Sequence, residues 1–240
     1  MMNWSGLWAS FSAGYLPWLV LTLAVYLAAM AIYRKSGNQP LLIPVFTGVV
    51  VIVGVLLATG TPYATYRSGV SLLSQLIGPA TVALAIPLYA QRERIKALWL
   101  PVTAALLVGC LVALVSALAI GWALNGSPIT LTALAPKSAT IPIALPMAER
   151  FGAPGSLAAV AVAITGIAGT MMAPMLCRLL RTEDPAVQGF AIGLTAHAIG
   201  TARALQVNPT AGAFSALAMG LNGVATAVMM PLVLAMMPWL

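Results

Sequence analysis

Acidic side chains are almost missing from this chain. Of 240 residues four are Asp or Glu, against eleven Lys or Arg and a single His. Glu93 and Glu149 stand alone and Glu183 and Asp184 are adjacent, so there is no spread of carboxylates from which to build acid–base catalysis. One histidine excludes the HExxH metal motif. Two cysteines, Cys110 and Cys177, each in or at the end of an apolar run, are too few for a disulfide framework or a thiolate metal site, and packing is the better role for both. With no nucleophile paired to a base either, no enzyme and no cofactor are expected.

What is abundant is apolar: 61% of residues are hydrophobic, 6% are charged, and the mean hydropathy is +1.01. A globule of this length cannot hide that much apolar surface behind a solvated exterior, so the chain belongs in a bilayer. Runs near the ~20 residues that a span needs occur at 17–33, 41–59, 97–124, 156–177 and 210–238, and further segments are interrupted by Pro and Gly. About seven to nine membrane segments result. The first run has no basic residue before it and is followed directly by Arg34 and Lys35, which suits a retained anchor with its N-terminus outside. The RERIK cluster at 92–96 fits the cytoplasm two crossings later. The net charge of +7 therefore reads as topology, and no nucleic-acid partner is expected. Between the spans no stretch is long enough for a soluble domain, so residues 1–240 are expected to form one integral membrane domain, an all-α polytopic bundle with discontinuous helices.

Proline supplies the discontinuities. The segment PITLTALAPKSATIPIALPMAER, 128–150, carries Pro128, Pro136, Pro142 and Pro146. In a helix Pro136 would free the carbonyl of Thr132 and Pro142 that of Ser138, which hydrocarbon tolerates only where protein or a water-filled cavity satisfies them. A weak echo lies 59 residues earlier, where ATVALAIPLY (80–89) matches ATIPIALPMA (139–148) at Ala80 with Ala139, Thr81 with Thr140, Ala85 with Ala144 and Pro87 with Pro146. A true repeat would place paired broken helices in two halves, the arrangement that brackets transporter sites. Small residues at four-residue spacing, Gly212, Ala216 and Gly220, and Ala113, Ala117 and Gly121, read as close helix packing. Asn222 in mid-span reads first as an interhelical hydrogen bond and second as a substrate ligand.

Lys137 lies near the centre of the apolar run 128–148, where a charge costs roughly 2.5–3.5 kcal/mol. It either fills a helix break or pairs with a carboxylate such as Glu149, or it serves a function. A break at Pro136 would turn a helix N-terminus, with the positive end of its dipole, toward the same place, and Ser138 and Thr140 would add hydroxyls. Such a set matches a small carboxylate. The second polar island is TAHAIGTARA, 195–204. His197 and Thr201 share a helical face while Arg203 points about 120° from His197 on an unbroken helix. A break at Gly200 would let His197 and Arg203 converge. The ordinary pKa of His, about 6.5, suits proton coupling, whereas Glu149, beside Arg150 at a segment end, reads as half of an interfacial pair.

Taken in order, PKSATIPIA (136–144), GLTAHAIGTARA (193–204) and GAFSALAMG (212–220) resemble the LrgB/CidB family of bacterial membrane proteins, which includes YohK-type proteins. The resemblance implies a multi-pass protein of the bacterial inner membrane and a small LrgA/CidA-type membrane partner; a homo-oligomer is expected besides. It implies two competing functions. One is holin- or antiholin-like modulation of murein hydrolase activity and lysis. The other is carriage of small acids, because related plant proteins resemble plastid glycolate and glycerate carriers and bacterial relatives are linked to pyruvate uptake. The residues fit the second better, since a self-assembled pore has no need of a central lysine and histidine at helix breaks. The site so implied comprises Lys137, Ser138, Thr140, His197, Gly200, Thr201, Arg203 and Asn222, binding glycolate, glycerate, lactate or pyruvate. Family members often carry a second threonine after the one matching Thr140; Ile141 stands there here, one hydroxyl fewer. Whether 128–150 and 186–206 cross or re-enter is open at this level. If 128–150 crosses, Arg178 and Arg181 fall outside, and if it re-enters they fall inside, which the charge rule favours.

Overall fold

The computed structural model describes residues 14–237, and no strand occurs among them. Among the described residues five helical stretches are long and apolar enough to cross a membrane: Leu16–Lys35, Ser71–Ala90, Trp99–Ala123, Gly155–Leu179 and Pro209–Ala235. Four of them match the runs read from the sequence to within a few residues, apart from the end at Pro238, which lies outside the described residues. The run 71–90 is one of the interrupted segments. Large side chains such as Val108, Val112 and Ile120, or Val224, Val228 and Leu232, stand exposed along these helices. That exposure suits lipid and would be untenable in water. The chain is an all-α, multi-pass membrane protein.

Residues 1–83 and 84–240 form two compact units. In the first, α1 (Tyr15–Lys35) turns through Gly37 and Asn38, both at positive φ, and a 3₁₀ turn at Pro40–Leu42 into α2 (Pro44–Thr59). Gly60 closes α2 in the left-handed conformation that glycine adopts without strain. Short helices α3 (Tyr63–Gly69), α4 (Ser71–Gln75) and α5 (Ile77–Ala83) follow. Trp18 is buried edge-on to Tyr66 with centroids 5.7 Å apart, and Gly69 leaves the room its ring occupies. The second unit holds α6 (Ala85–Ala90), α7 (Arg92–Ala97), α8 (Trp99–Ala123), α9 (Pro128–Leu134), α10 (Ile141–Arg150), α11 (Gly155–Leu179), α12 (Pro185–Val207) and α13 (Pro209–Ala235).

Its ends can be told apart by contacts. Arg94 donates to both oxygens of Asp184 at 2.8 and 2.9 Å, and Gln91 bonds Thr210 at 3.4 Å. The RERIK cluster, the α11–α12 loop and the start of α13 therefore share one end, and Arg178 and Arg181 lie there too. The excess of Arg and Lys makes this the end that the charge rule assigns to the cytoplasm. The helix α8 leaves it, and at the far end a Cβ on Gly121 would meet Leu131 of α9.

From that far end α9 and α10 form a re-entrant hairpin. Ala133 and Ala148 belong to one buried cluster with Ala153 and Ala158, so both arms pack on the start of α11 and α10 returns to where α11 begins. Helix α9 is seven residues long, which at 1.5 Å per residue carries the turn at 135–140 ~10 Å inward. The segment 128–150 thus re-enters without crossing, and α11 brings the chain back to the basic end.

Helix α12 re-enters from the basic end. His197 sits at φ 40°, ψ −133° inside it, a conformation a non-glycine residue adopts only under constraint. A Cβ built on Gly200 would stand 2.6 Å from Ile192 Cγ2; on a straight helix these residues would be ~12 Å apart along the axis. The arms 185–196 and 198–207 therefore fold against each other, and α13 starts again at the basic end. Gly189 and Gly193 of the first arm lie directly on the backbone of Ala211 and Ser215, a contact no side chain could share. The segment 128–179, hairpin then span, is followed by 185–235, hairpin then span, in the opposite sense. This inverted pair is a different relation from the echo at 80–89, which falls across the end of α5 and the start of α6.

Candidate functional site

The two hairpins carry the polar islands at their tips. In the first, α9 ends at Leu134, so Pro136 lies past the helix and opens the turn; Thr140 is the N-cap of α10 and Pro142 sits in its first turn. The Thr140 hydroxyl makes no capping bond. The Lys137 ammonium lies 3.4 Å from the Ser138 hydroxyl, which accepts from it, and Lys137 is half-buried. Glu149 stands at the outer end of α10, exposed against Gly155, and takes no part at the tip.

In the second, the break falls on His197 itself, three residues before Gly200. The imidazole is buried, lies against Gly166 where a Cβ would come within 2.5 Å of Cε1, and has Nε2 2.9 Å from the carbonyl oxygen of Val162. A carbonyl only accepts, so Nε2 carries the proton and donates. Thr201 donates to the His197 carbonyl at 2.8 Å, leaving its oxygen to accept from the Ser215 hydroxyl at 2.9 Å; both are buried. Thr201 thus ties down the break. Gly200 serves the hairpin by lacking a Cβ where the arms meet.

Asn222 joins the tips. Its amide nitrogen donates to the Ser138 carbonyl at 3.0 Å and to the Leu194 carbonyl at 3.1 Å, while Oδ1 is buried without a hydrogen-bond partner. Both acceptors belong to the breaks. Ser138 O is the group that Pro142, with no N–H, cannot satisfy, and the regular partner of Leu194 O would be the Ala198 N–H beyond His197. Because both donors face carbonyls, flipping the amide would set oxygen against oxygen, so the orientation of Asn222 is fixed.

Arg203 goes elsewhere. It donates to the Thr170 carbonyl at 3.0 Å and lines a cavity of about 790 Å³ with Arg178 and Arg181. The structure therefore gathers Lys137, Ser138, Thr140, His197, Thr201 and Asn222 around the two tips and leaves Arg203 in a separate chamber. Val162, Gly166 and Ser215, which hold the second break, went unread in the sequence, where they are ordinary apolar or small residues of a span. Of the small-residue stripes, Gly212 packs on Leu205, Gly121 on Leu131, and Gly220 faces open space. Cys110 is buried beside Thr226, and Cys177 lines the Arg203 cavity.

These features define a polytopic α-helical membrane protein built on two opposed broken hairpins. Residues 22–236 match the model of the LrgB-like family, and the chain belongs to that family. It is 35% identical to the uncharacterized protein YxaC of Bacillus subtilis, over 90% of this chain and 93% of the relative, and 34% identical to YwbG of the same organism, over 91% and 97%. It is 28% identical to the antiholin-like protein LrgB of Bacillus subtilis, over 89% and 92%. No solved structure matches.

Proposed function

We propose that the protein is a secondary transporter of a small monocarboxylate such as glycolate, glycerate, lactate or pyruvate in the bacterial inner membrane. The observation that carries this is the meeting of the hairpin tips through Asn222, with Lys137 beside them. Two half-helices begin there, α10 at Ile141 and the second arm of α12 past His197, and each contributes the positive end of its dipole. An ammonium, two helix N-termini and the Thr140 hydroxyl form a site for one carboxylate at the cost of one buried charge. His197, held by Val162, orients the second half-helix, and its ring accounts for proton coupling if transport is pH-dependent. No catalysis and no cofactor are part of this reading. A homo-oligomer and an LrgA/CidA-type partner accompany it as expected assembly.

The test is uptake of labelled glycolate, glycerate, lactate and pyruvate by proteoliposomes holding the protein alone and with its partner. Saturable uptake above empty vesicles supports the proposal, and none for any of the four acids ends it. The name of the antiholin-like relative favours a second reading, a lysis modulator without a substrate cycle. It requires instead unselective release of large dyes from the same vesicles and indifference to Lys137→Ala.

A further inference from the structure

Arg203 was left outside the tip site, and its surroundings have a chemistry of their own. The cavity of about 790 Å³ lies between the C-terminal third of α11 and both arms of α12, within the ~300–1,000 Å³ usual for ligand sites. Three arginines face it, Arg178, Arg181 and Arg203, against one carboxylate, Glu183. Arg178 and Arg181 are exposed at the mouth, and Arg203 is half-buried farther in, tethered to the Thr170 carbonyl. The helices α12 and α13 both begin at this chamber, at Pro185 and Pro209, so their positive dipole ends add to the arginines. Low-dielectric walls focus such a field onto the cavity.

The chamber stops short of the tips. A Cβ on Gly169 would come 3.1 Å from Ala196 Cβ, and one on Gly166 would strike the His197 ring. At this level Gly166 packs on His197 and Ile199 and Gly169 on Ala196, and close packing of small residues is the easiest kind to part by a slight shift of the hairpin. We propose that this chamber is a second anion station, the cytoplasmic antechamber of the transport path, in which Arg203 receives a small carboxylate that Arg178 and Arg181 draw in before it passes to Lys137. The proposal rests on the transporter reading for its last step but not for the anion selectivity of the chamber.

Cys177 lies in the wall and is half-buried, whereas Cys110 is buried, so the native chain carries its own reporter. Sealed right-side-out and inside-out vesicles are treated with a methanethiosulfonate bearing a sulfonate or with its trimethylammonium counterpart, and modification of Cys177 is read by mass. The expected result is reaction from the cytoplasmic face, about tenfold faster with the sulfonate than with the cation at low ionic strength. The preference shrinks in 0.5 M salt and falls severalfold in Arg178→Gln/Arg181→Gln, which alters only exposed side chains. In the transport assay the same double variant raises KM at the cytoplasmic face and not at the opposite one. Equal rates for the two reagents, or labelling from the opposite face, overturn the antechamber even if uptake is robust. Clear anion preference in a protein that carries no acid leaves the chamber standing and removes the transporter.

Discussion

Replacing Asn222 by alanine removes both donors at once and tests whether the hairpin tips depend on this one amide. An ordinary interhelical hydrogen bond in a membrane protein contributes ~0.6 kcal/mol, because its partners find substitutes when it is lost. Two such bonds would make the variant about 1.2 kcal/mol less stable. The carbonyls of Ser138 and Leu194 sit instead at breaks, buried and deprived of regular partners by Pro142 and by the His197 conformation. Stranding a buried acceptor costs ~1–3 kcal/mol, so the expected loss is about 2–6 kcal/mol. For a chain of this size that is a fall in Tm of roughly 4–24 °C. Heating in detergent with a thiol-reactive fluorophore reports unfolding through buried Cys110. Ser215→Ala, which removes one donor to Thr201, serves as the smaller comparison. A fall of less than about 3 °C for Asn222→Ala, no greater than for Ser215→Ala, would refute the claim that Asn222 alone satisfies the two breaks. Asn222→Asp should be at least as damaging at neutral pH, since its oxygens would face both carbonyls.

Gly193→Ala should destabilise by ~1–3 kcal/mol or more, because its methyl meets the Ser215 backbone and only separation of α12 from α13 relieves it, while Gly220→Ala, facing open space, should leave Tm unchanged within a degree. Lys137→Met should abolish carboxylate uptake while keeping Tm within a few degrees or raising it, since it removes a buried charge; Lys137→Arg should retain part of the uptake. Single cysteines at positions 126 and 150 in a background lacking Cys110 and Cys177 should label from the same face of sealed vesicles, opposite to a cysteine at 181, and labelling of 126 and 150 from opposite faces would disprove the re-entrant hairpin at 128–150.

Much of this was legible in one dimension. Composition alone fixed a polytopic helical membrane protein, because no other arrangement can accommodate that apolar fraction. The spans followed from run length, and the breaks from Pro136 and Pro142, residues that deny the helix its hydrogen bonds whatever surrounds them. Lys137, His197 and Asn222 stood out for the same reason: a polar group in hydrocarbon demands a partner, so its presence announces a site before the partner is known. Sidedness at the first hairpin was half legible, since the charge rule already preferred Arg178 and Arg181 inside.

What the tertiary structure decided was which groups meet. Local chemistry favours Gly200 as the place to bend α12, since glycine bends most cheaply. The chain bends at His197 because the contacts of its ring with Val162 and Gly166 and the grip on its carbonyl of Thr201, itself bonded to Ser215, outweigh the local strain, and all of these come from other turns or helices. The same reversal sends Arg203 back toward the basic end, so two residues six apart in sequence serve different chambers. Hydropathy cannot distinguish a crossing helix from a folded one, as both bury the same residues. That distinction rests on long-range packing, of Ala133 and Ala148 with the start of α11 and of Ile192 with Gly200, which sets the two polar tips face to face.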